Sequence, residues 1–229
     1  MFRLAHRHRR GHDAYLFGAA TREAQLVMKL LSHPFSPYGR KVKVAMAMKG
    51  LEERIEIVAV DTNPVDTPDI NRANPLGKIP ALVVDGDAAI FDSHVICEYL
   101  DSLAPLPVLF PKGGVERIRT LTLGSLCDGI LDAALLLVYE KRFRPEDKWH
   151  APWEARQQGK IDRTIEFLER SPLAWGADPD YGHLTLACAL GYLDFRHEGK
   201  WRAGHPGLVA WLDQFARVVP AFDETRPKA

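Results

Sequence analysis

Residues 28–60, "MKLLSHPFSPYGRKVKVAMAMKGLEERIEIVAV", carry the pattern that decides the fold. The apolar run "VMKLL" predicts a first strand, and "RIEIVAV" predicts a second, because β-branched and other apolar residues fill it. A helix is predicted between them, from Pro37 to about Lys49. A strand, a helix and another strand in this order predict a right-handed crossover with the two strands parallel.

The start of that helix has an unusual charge. Ser36 and Pro37 predict its first turn, since a Ser side chain caps free backbone N–H groups and Pro is tolerated at the first helical position. Arg40, Lys41 and Lys43 follow within about one turn. The positive end of the helix dipole disfavours each exposed cation there by roughly 0.3 to 1 kcal/mol. The local sequence leaves the purpose of this positive charge open.

The next stretch predicts a hairpin and two more helices. "ALVV" and "AAIF" flank residues 85–87, "DGD", which favour a tight turn because Asp and Gly accept left-handed backbone angles. A short helix is predicted near Ile70. Another begins at Ser93, where "SHVICEYLDSL" places apolar residues on one stripe. Beyond residue 114 the chain predicts four helices, over 115–143, 152–169, 180–196 and 206–218.

These patterns divide the chain into four segments. They are a basic extension (1–27), an α/β domain (28–104), a Pro- and Gly-rich linker (105–114) and an all-helical domain (115–229). The extension has five arginines against two acidic residues, so its formal charge is +3 and that of the remainder is −3. It lacks helix and strand periodicity, and we interpret it as flexible. A nucleic-acid-binding arm is the alternative, weakened by the lack of interleaved aromatic residues.

The composition indicates the cellular compartment and argues against some classes of binding partner. The three cysteines, Cys97, Cys127 and Cys188, form no C-x-x-C pair, which favours a reducing, cytoplasmic setting. No apolar run is expected to reach the roughly 18 to 20 residues that cross a bilayer, so we expect no membrane partner. The mildly acidic body argues against a nucleic-acid partner. Asp128 and Asp132 are four apart on one helix but lack a Glu-x-x-His companion, so no metal site is expected.

Several stretches together resemble the cytosolic glutathione S-transferase family. They are residues 36–51, "SPYGRKVKVAMAMKGL", residues 74–101, "NPLGKIPALVVDGDAAIFDSHVICEYLD", and the helical tail, and the resemblance extends from Met28 to about Phe222. It implies an α/β thioredoxin-like N-terminal domain followed by an all-α C-terminal domain. "DGILDAALLLVYEKRFRPEDKW" and "ACALGYLDFR" resemble a bacterial, serine-type branch whose substrates are poorly defined.

The resemblance implies glutathione as a co-substrate and Ser36 as the catalytic residue. A thiol with a pKa near 8.5 is mostly protonated at pH 7, and each unit of lowering requires about 1.4 kcal/mol of thiolate stabilisation. Ser36 matches the position where the family places Ser or Cys beside the glutathione sulfur, and a Ser there favours conjugation over thiol transfer. The alternatives are that Ser36 only caps the helix, or that Ser32 supplies the hydroxyl.

Other residues match the family's glutathione-binding positions. Pro80 matches a proline that is cis in the family, with Ile79 as the backbone partner of the cysteinyl part of glutathione. Asp92 and Ser93 match the pair that holds the γ-glutamyl end, since a carboxylate suits its ammonium and a helix start suits its carboxylate. The alternative is that these two residues only cap a helix. Lys78 is expected to be solvated.

The resemblance also implies a pocket for a second substrate and an oligomeric state. Tyr38 is expected to line the pocket of a small hydrophobic electrophile, in a cleft between the domains. Arg40, Lys41 and Lys43 are interpreted as a positive setting for the anionic tripeptide, with exposure to solvent as the alternative. A homodimer and a role in detoxification are expected. The alternative function is a non-enzymatic member that binds glutathione or a protein partner.

Two further expectations concern the helical half. "DPDYGHLTLACAL" matches a helix start that in the family usually reads Ser/Thr-x-x-Asp. Asp180 remains a good cap, but His183 stands in place of the acid, so we expect the reciprocal bond to be lost. Cys127 is predicted near the cleft and is the cysteine expected to be worth a reactivity test.

Overall fold

Four strands form one mixed sheet in the first part of the chain. The computed structural model describes residues 28–62, 64, 67–85, 88–171 and 173–228, so the basic extension lies outside the described residues. The strands are β1 (Met28–Ser32), β2 (Ile55–Ala59), β3 (Ala81–Asp85) and β4 (Ala88–Ile90), in the order β2-β1-β3-β4. β1 and β2 are parallel, and β3 is antiparallel to both of its neighbours. The pairing of β1 with β2 confirms that the two strands are parallel, as predicted.

Helices cover both faces of the sheet. They are α1 (Pro37–Met48), α2 (Pro68–Ala73) and α3 (Ser93–Leu103). Consecutive residues of a strand face opposite sides. Leu30 accordingly belongs to the main core with α1 and α3, whereas Leu31 packs with Ala73 of α2 and with Ala81. The N-terminal half is therefore a thioredoxin-like domain.

The second half of the chain is helical. Its helices are α4 (Gly114–Phe143), α5 (Ala151–Glu169), α6 (Tyr181–Arg196), α7 (Pro206–Val218) and α8 (Ala221–Glu224). Every residue from Tyr181 to Leu193 except His183 is buried, because α6 packs against α4, α7 and also α1. This arrangement confirms the predicted fold class. The bounds of α4 to α7 differ from the predicted ones by a residue or so, and the short helix α8 was not predicted.

The start of α6 corrects one expectation. The Asp180 carboxylate accepts the His183 N–H at 3.1 Å, and Nδ1 of His183 lies 3.3 Å from the Asp180 backbone nitrogen, which can donate to it. The reciprocal bond that we expected to be lost is therefore available, because an imidazole nitrogen replaces the acid as the acceptor. The same Nδ1 lies 2.6 Å from Asp180 Oδ1, so the tautomer of the ring decides which of the two it bonds.

A hydroxyl from α4 joins this cap. Thr120 donates a hydrogen bond to the Asp180 carboxylate. Burial alone would raise the pKa of Asp180, but its hydrogen bonds with His183 and Thr120 lower it overall. The cap therefore fixes the first turn of α6 against the first third of α4.

A buried ion pair joins the two domains. The Lys41 side chain of α1 is 0% exposed, and its Nζ lies 2.6 Å from Oδ1 of Asp128 on α4. Nζ also donates to the Tyr181 hydroxyl of α6 at 3.0 Å. Burial by itself lowers the pKa of Lys41, but the Asp128 carboxylate and the Tyr181 phenol raise it above its usual value. Lys41 therefore remains charged inside the domain interface.

Arg40 makes a second contact with the helical half. It is buried, donates to the Phe222 carbonyl at 2.5 Å, and its guanidinium carbon lies 4.1 Å from the centroid of the Phe222 ring. A Cβ on Gly191 of α6 would lie only 2.4 Å from Nη1 of Arg40. Lys43 is half-buried, and burial together with Arg40 lowers its pKa.

These contacts correct the interpretation of the helix-start cations. We expected Arg40 and Lys41 either to face an anionic ligand or to point to solvent. Both are instead buried and bonded to the C-terminal domain. Because α1 runs from the β1 end into the domain interface, a cation within its first turn is already in reach of α4 and the C-terminal helices.

α4 corrects a second expectation, about apolar length. It is long enough to cross a membrane, and an 18-residue window within it has a mean hydropathy of 1.8. The core helix of a soluble protein passes the same test, so this is weak evidence for a membrane span. In the described structure the helix packs against α5 and α6 and supplies Asp128 to the buried ion pair.

We predict that Asp128→Asn is strongly destabilising. The change leaves the buried Lys41 ammonium without its counter-charge, and breaking a buried pair from one side costs about 3 to 5 kcal/mol. Because the Asp128 side chain is 25% exposed, we expect the lower end, roughly 3 kcal/mol, for the free energy of unfolding in urea.

The control is Glu116→Gln. Its pair with Arg119 is 67% and 71% exposed, so we expect a change within about 0.5 kcal/mol. Adding Lys41→Met to Asp128→Asn should recover most of the loss, because no buried charge then remains. An equally small effect of Asp128→Asn and Glu116→Gln would contradict the importance of the buried pair.

Candidate functional site

The register of the sheet brings the predicted site residues to one edge. Ser32 pairs with Ala59, Leu31 pairs with Ala81, and Leu82 pairs with Ile90. The C-terminal ends of β1, β2 and β4 therefore meet the N-terminal end of β3. Five of the predicted site residues lie within four residues of these strand ends, namely Ser36, Ile79, Pro80, Asp92 and Ser93.

Two helices begin at the same edge. Ser36 is the N-cap of α1, and Asp92 is the N-cap of α3, whose carboxylate accepts the His94 N–H at 3.0 Å. The first turn of a helix has backbone N–H groups without helical partners, and the helix dipole makes this end positive. The edge is therefore suited to an anion, independently of the side-chain cations.

The geometry of Ser36 allows it to act as a donor. Its Oγ accepts the Gly39 N–H at 3.1 Å, and its backbone N–H donates to the His33 carbonyl at 3.0 Å. A hydroxyl has one hydrogen besides its acceptor lone pairs. Capping the helix therefore leaves the Ser36 hydroxyl hydrogen available for another acceptor, and the residue is half-buried. The two interpretations of Ser36, as a cap and as a donor, are compatible.

Ser32 is placed differently from Ser36. Its residue is 1% exposed, and among the described residues its Oγ has no hydrogen-bond partner. A Cβ on Gly39 would lie 2.1 Å from this oxygen, so the Ser32 hydroxyl points into the space that the glycine leaves. Ser32 therefore packs beneath the first turn of α1.

The loop before β3 has the predicted cis peptide. The Ile79–Pro80 bond is cis, and Lys78 is exposed, as expected. Asn74, which the sequence analysis did not identify, holds this loop: its Nδ2 donates to the Lys78 carbonyl at 2.9 Å, and its Oδ1 accepts the Leu76 N–H at 3.0 Å. Asn is a common turn residue, so its position at the end of a short helix could have identified Asn74 from the sequence.

The start of α3 combines an exposed acid with a buried hydroxyl. Asp92 is exposed, whereas Ser93 is 3% exposed. The His94 ring lies 4.8 Å from the Tyr181 ring and 5.6 Å from the Phe110 ring, between centroids. The turn that carries Asp92 and Ser93 is thus anchored on α6 of the other domain.

Tyr38, in the first turn of α1, is held by a side chain of α4. Its hydroxyl donates to Asp132, and burial together with this bond raises the pKa of Tyr38 above its usual value. Asp128 and Asp132 therefore have separate partners, Lys41 and Tyr38. No group of three or more His, Cys, Asp or Glu side chains in the described part of the chain could hold a metal ion.

The cysteines are not placed for chemistry. Cys97, Cys127 and Cys188 are all buried and unbridged. Burial raises the pKa of Cys97 to about 12 and that of Cys188 to about 11, and it raises the pKa of Cys127 further. The expectation that Cys127 merits a reactivity test is wrong, because a buried thiol that stays protonated is a poor nucleophile.

Aromatic side chains of α6 reach the loop that carries Ser36. The Phe195 ring lies 5.4 Å from the Phe35 ring, and the Phe35 ring lies 5.1 Å from the His33 ring, between centroids. Nδ1 of His33 accepts the Phe35 N–H at 3.1 Å, and burial is the main reason that the pKa of His33 is lowered. The sequence analysis missed Phe35 and Phe195, which lack a motif.

A thioredoxin-like domain with a polar site at the sheet edge, followed by a helical domain, defines the class of the glutathione S-transferases. Models of the glutathione S-transferase N-terminal and C-terminal domains match residues 35–103 and 151–214. The chain is 32% identical over 204 residues to the GST-like protein YibF of Escherichia coli K12, itself uncharacterized, a match covering 84% of this chain and 98% of that protein.

Two further comparisons agree. The chain is 41% identical over 126 residues to glutathione S-transferase Z1 of Arabidopsis thaliana, which covers 53% of this chain and 56% of that protein. A solved structure of a glutathione transferase family member from Pseudomonas fluorescens Pf-5, with bound glutathione, has a TM-score of 0.84 and 40% identity, covering 88% of this chain and all of that one. The chain belongs to the glutathione S-transferase family.

We predict that Gly39→Ala is destabilising only while Ser32 keeps its hydroxyl. The new Cβ would overlap Ser32 Oγ, and overpacking of this kind typically costs about 1 to 3 kcal/mol. With Ser32→Ala added, the nearest atoms lie at 3.4 Å, and Ala is favoured over Gly within a helix by roughly 0.5 to 1 kcal/mol.

Thermal unfolding of the single and double variants measures this. We expect a lower midpoint for Gly39→Ala and a midpoint at or above wild type for the double variant. If Gly39→Ala alone is as stable as wild type, the Ser32 hydroxyl can turn elsewhere and the close packing of this turn does not matter.

Proposed function

We propose that this protein is a glutathione transferase that activates the glutathione thiol for attack on a small electrophile. The observation that carries the proposal is Ser36 at the N-terminus of α1, with its hydroxyl hydrogen available and its backbone held by His33. The glutathione found in the Pseudomonas fluorescens relative supports the choice of co-substrate.

In this proposal Ser36 stabilises the thiolate. Its hydroxyl donates to the glutathione sulfur, while the positive end of α1 favours the same negative charge. Hydrogen bonds to charged groups contribute roughly 1.5 to 3 kcal/mol, which corresponds to a lowering of the thiol pKa by about one to two units. The thiolate then attacks the electrophile without needing a strong base.

The same edge supplies groups for the rest of glutathione. The backbone of Ile79, in the loop before β3, would pair with the cysteinyl part. Asp92 is an exposed carboxylate for the γ-glutamyl ammonium, and Ser93 at the α3 start suits its carboxylate. Each of these positions lies near a strand end or a helix start, so the tripeptide would bind in an extended form along the edge.

The remaining parts of the proposal concern the second substrate and the assembly. Tyr38, held by Asp132, would form one wall of the pocket for a hydrophobic electrophile. A homodimer is supported by the exposed side chains Val95, Val115 and Ile118, on α3 and the first turns of α4. Unbridged, buried cysteines suit a cytoplasmic protein. A role in detoxification would follow from the conjugation of electrophiles.

We predict that Ser36→Ala lowers kcat with chlorodinitrobenzene by about 10- to 100-fold, as expected for a lost hydrogen bond to a charged group. The dissociation constant for glutathione should stay nearly unchanged, because the other groups at the edge still bind it. The pH–rate profile should shift to higher pH, since the bound thiol then has a higher pKa.

Two further variants separate capping from thiol activation. Ser36→Asp keeps a good cap beside a helix dipole, so its unfolding midpoint should equal or exceed that of wild type, yet its carboxylate repels a thiolate and kcat should still fall. Ser36→Thr keeps the hydroxyl and should retain most activity. Unchanged turnover in Ser36→Ala would sink the role of Ser36, and glutathione binding without turnover in the wild type would favour the non-enzymatic alternative.

We predict that Asp92→Asn weakens glutathione binding by about tenfold, because the amide keeps the cap on His94 but loses the charge that pairs with an ammonium. Calorimetric titration measures the affinity. Asp213→Asn, an exposed acid on α7, is the control and should bind like wild type. An unchanged affinity in Asp92→Asn would leave Asp92 as a helix cap alone.

A further inference from the structure

Two arginines lie at the C-terminal ends of helices that flank the Ser36 loop. Arg142 is in the last turn of α4, and Arg196 is the last residue of α6. The guanidinium carbon of Arg196 lies 5.2 Å from the centroid of the Phe35 ring and 4.2 Å from that of Phe195. Phe35 directly precedes Ser36, so Arg196 places a positive group beside the loop that carries the proposed catalytic hydroxyl.

Both arginines affect the pKa values of the same two side chains, His33 and Tyr192. Burial lowers the pKa of His33, and Arg142 and Arg196 lower it further, whereas Asp61 opposes them. Burial raises the pKa of Tyr192 to about 12, with the two arginines opposing the rise. Their charges therefore reach both the β1–α1 loop and the inner face of α6.

We use the name outer rim for Phe35, Phe195 and Arg196, whose ring and cation contacts bring them together. Asp132, an exposed acid, accepts the Tyr38 hydroxyl and lies ten residues before Arg142 on α4. Ten helical residues span about 15 Å. The carboxylate that holds Tyr38 and the cation at the end of α4 are therefore well separated along the helix.

The state of Arg196 favours a carboxylate partner. Within the described part of the chain, the Arg196 guanidinium lies over the rings of Phe35 and Phe195 and forms no ion pair with a carboxylate. A guanidinium over an aromatic face keeps the N–H donors in its plane, and these match the two oxygens of a carboxylate. The same rings offer an apolar surface for the body of an aromatic ligand.

We propose that the outer rim selects electrophiles that are aromatic acids, with Arg196 binding the carboxylate of the second substrate. This rests on the proposed function, because it concerns the compound that the glutathione thiolate attacks. With an aryl halide of this class, the sulfur forms a bond to the ring carbon and the carbon–halogen bond breaks. The halide leaves with the electron pair, and the proton of the thiol goes to solvent.

Binding of two product analogues to the full chain tests the proposal. S-(para-carboxybenzyl)glutathione and S-(para-carbamoylbenzyl)glutathione have nearly the same shape and differ in charge. In calorimetric titration we expect the carboxylate to bind the wild type about tenfold more tightly than the amide, as a charge-assisted bidentate pair implies. Arg196→Met should reduce this ratio to about twofold or less and leave the affinity for the amide unchanged.

Two variants control for charge and for folding. Arg217→Met removes an exposed arginine on α7 and should leave the ratio at its wild-type value. Arg196→Lys keeps the charge without the planar fork and should give an intermediate ratio. Glutathione affinity, measured on each variant, reports whether the fold is intact.

The outcomes separate the two levels of the proposal. Equal binding of the two analogues to the wild type overturns the outer rim as a carboxylate site while leaving glutathione transfer in place. The same follows if Arg217→Met lowers the ratio as much as Arg196→Met, because the effect is then one of overall charge. If neither glutathione nor either analogue binds, the proposed function itself fails.

Discussion

The buried Lys41–Asp128 pair is the constraint on which the rest of the structure depends. An ammonium with no exposed surface is tolerated because a carboxylate and a phenol from two helices of the other domain surround it. Those contacts fix how α1 lies against α4 and α6. Since α1 begins at Ser36, the position of the proposed catalytic hydroxyl relative to the helical half is set by the same contacts.

The site is then assembled from backbone features as much as from side chains. Strand ends, two helix starts and the cis peptide before Pro80 meet at a single edge of the sheet. Other side chains hold these features in place, such as Asn74 on the Lys78 carbonyl and His94 on the Tyr181 ring. In the proposed function this edge binds glutathione, and the helices that face it determine which second substrate is accepted.

Much of the fold was predictable from sequence because its signals are local. The β1–α1–β2 pattern, the hairpin, and the cap at Ser36 each depend on residues close together in the chain. The family resemblance added the cis bond at Pro80, which local sequence could not supply. The burial of Arg40 and Lys41 was not predictable, because their partners Phe222 and Asp128 lie 182 and 87 residues away. Phe35 with Phe195, and Tyr38 with Asp132, were missed for the same reason.

The gap at Gly191 has a consequence for how this chain can diverge. The Arg40 guanidinium occupies the space where any other residue at position 191 would place its Cβ. A larger residue at 191 requires the Arg40 guanidinium to leave its place on the Phe222 carbonyl, or position 40 to become smaller. These two positions, 151 residues apart in the sequence, should therefore vary together among relatives.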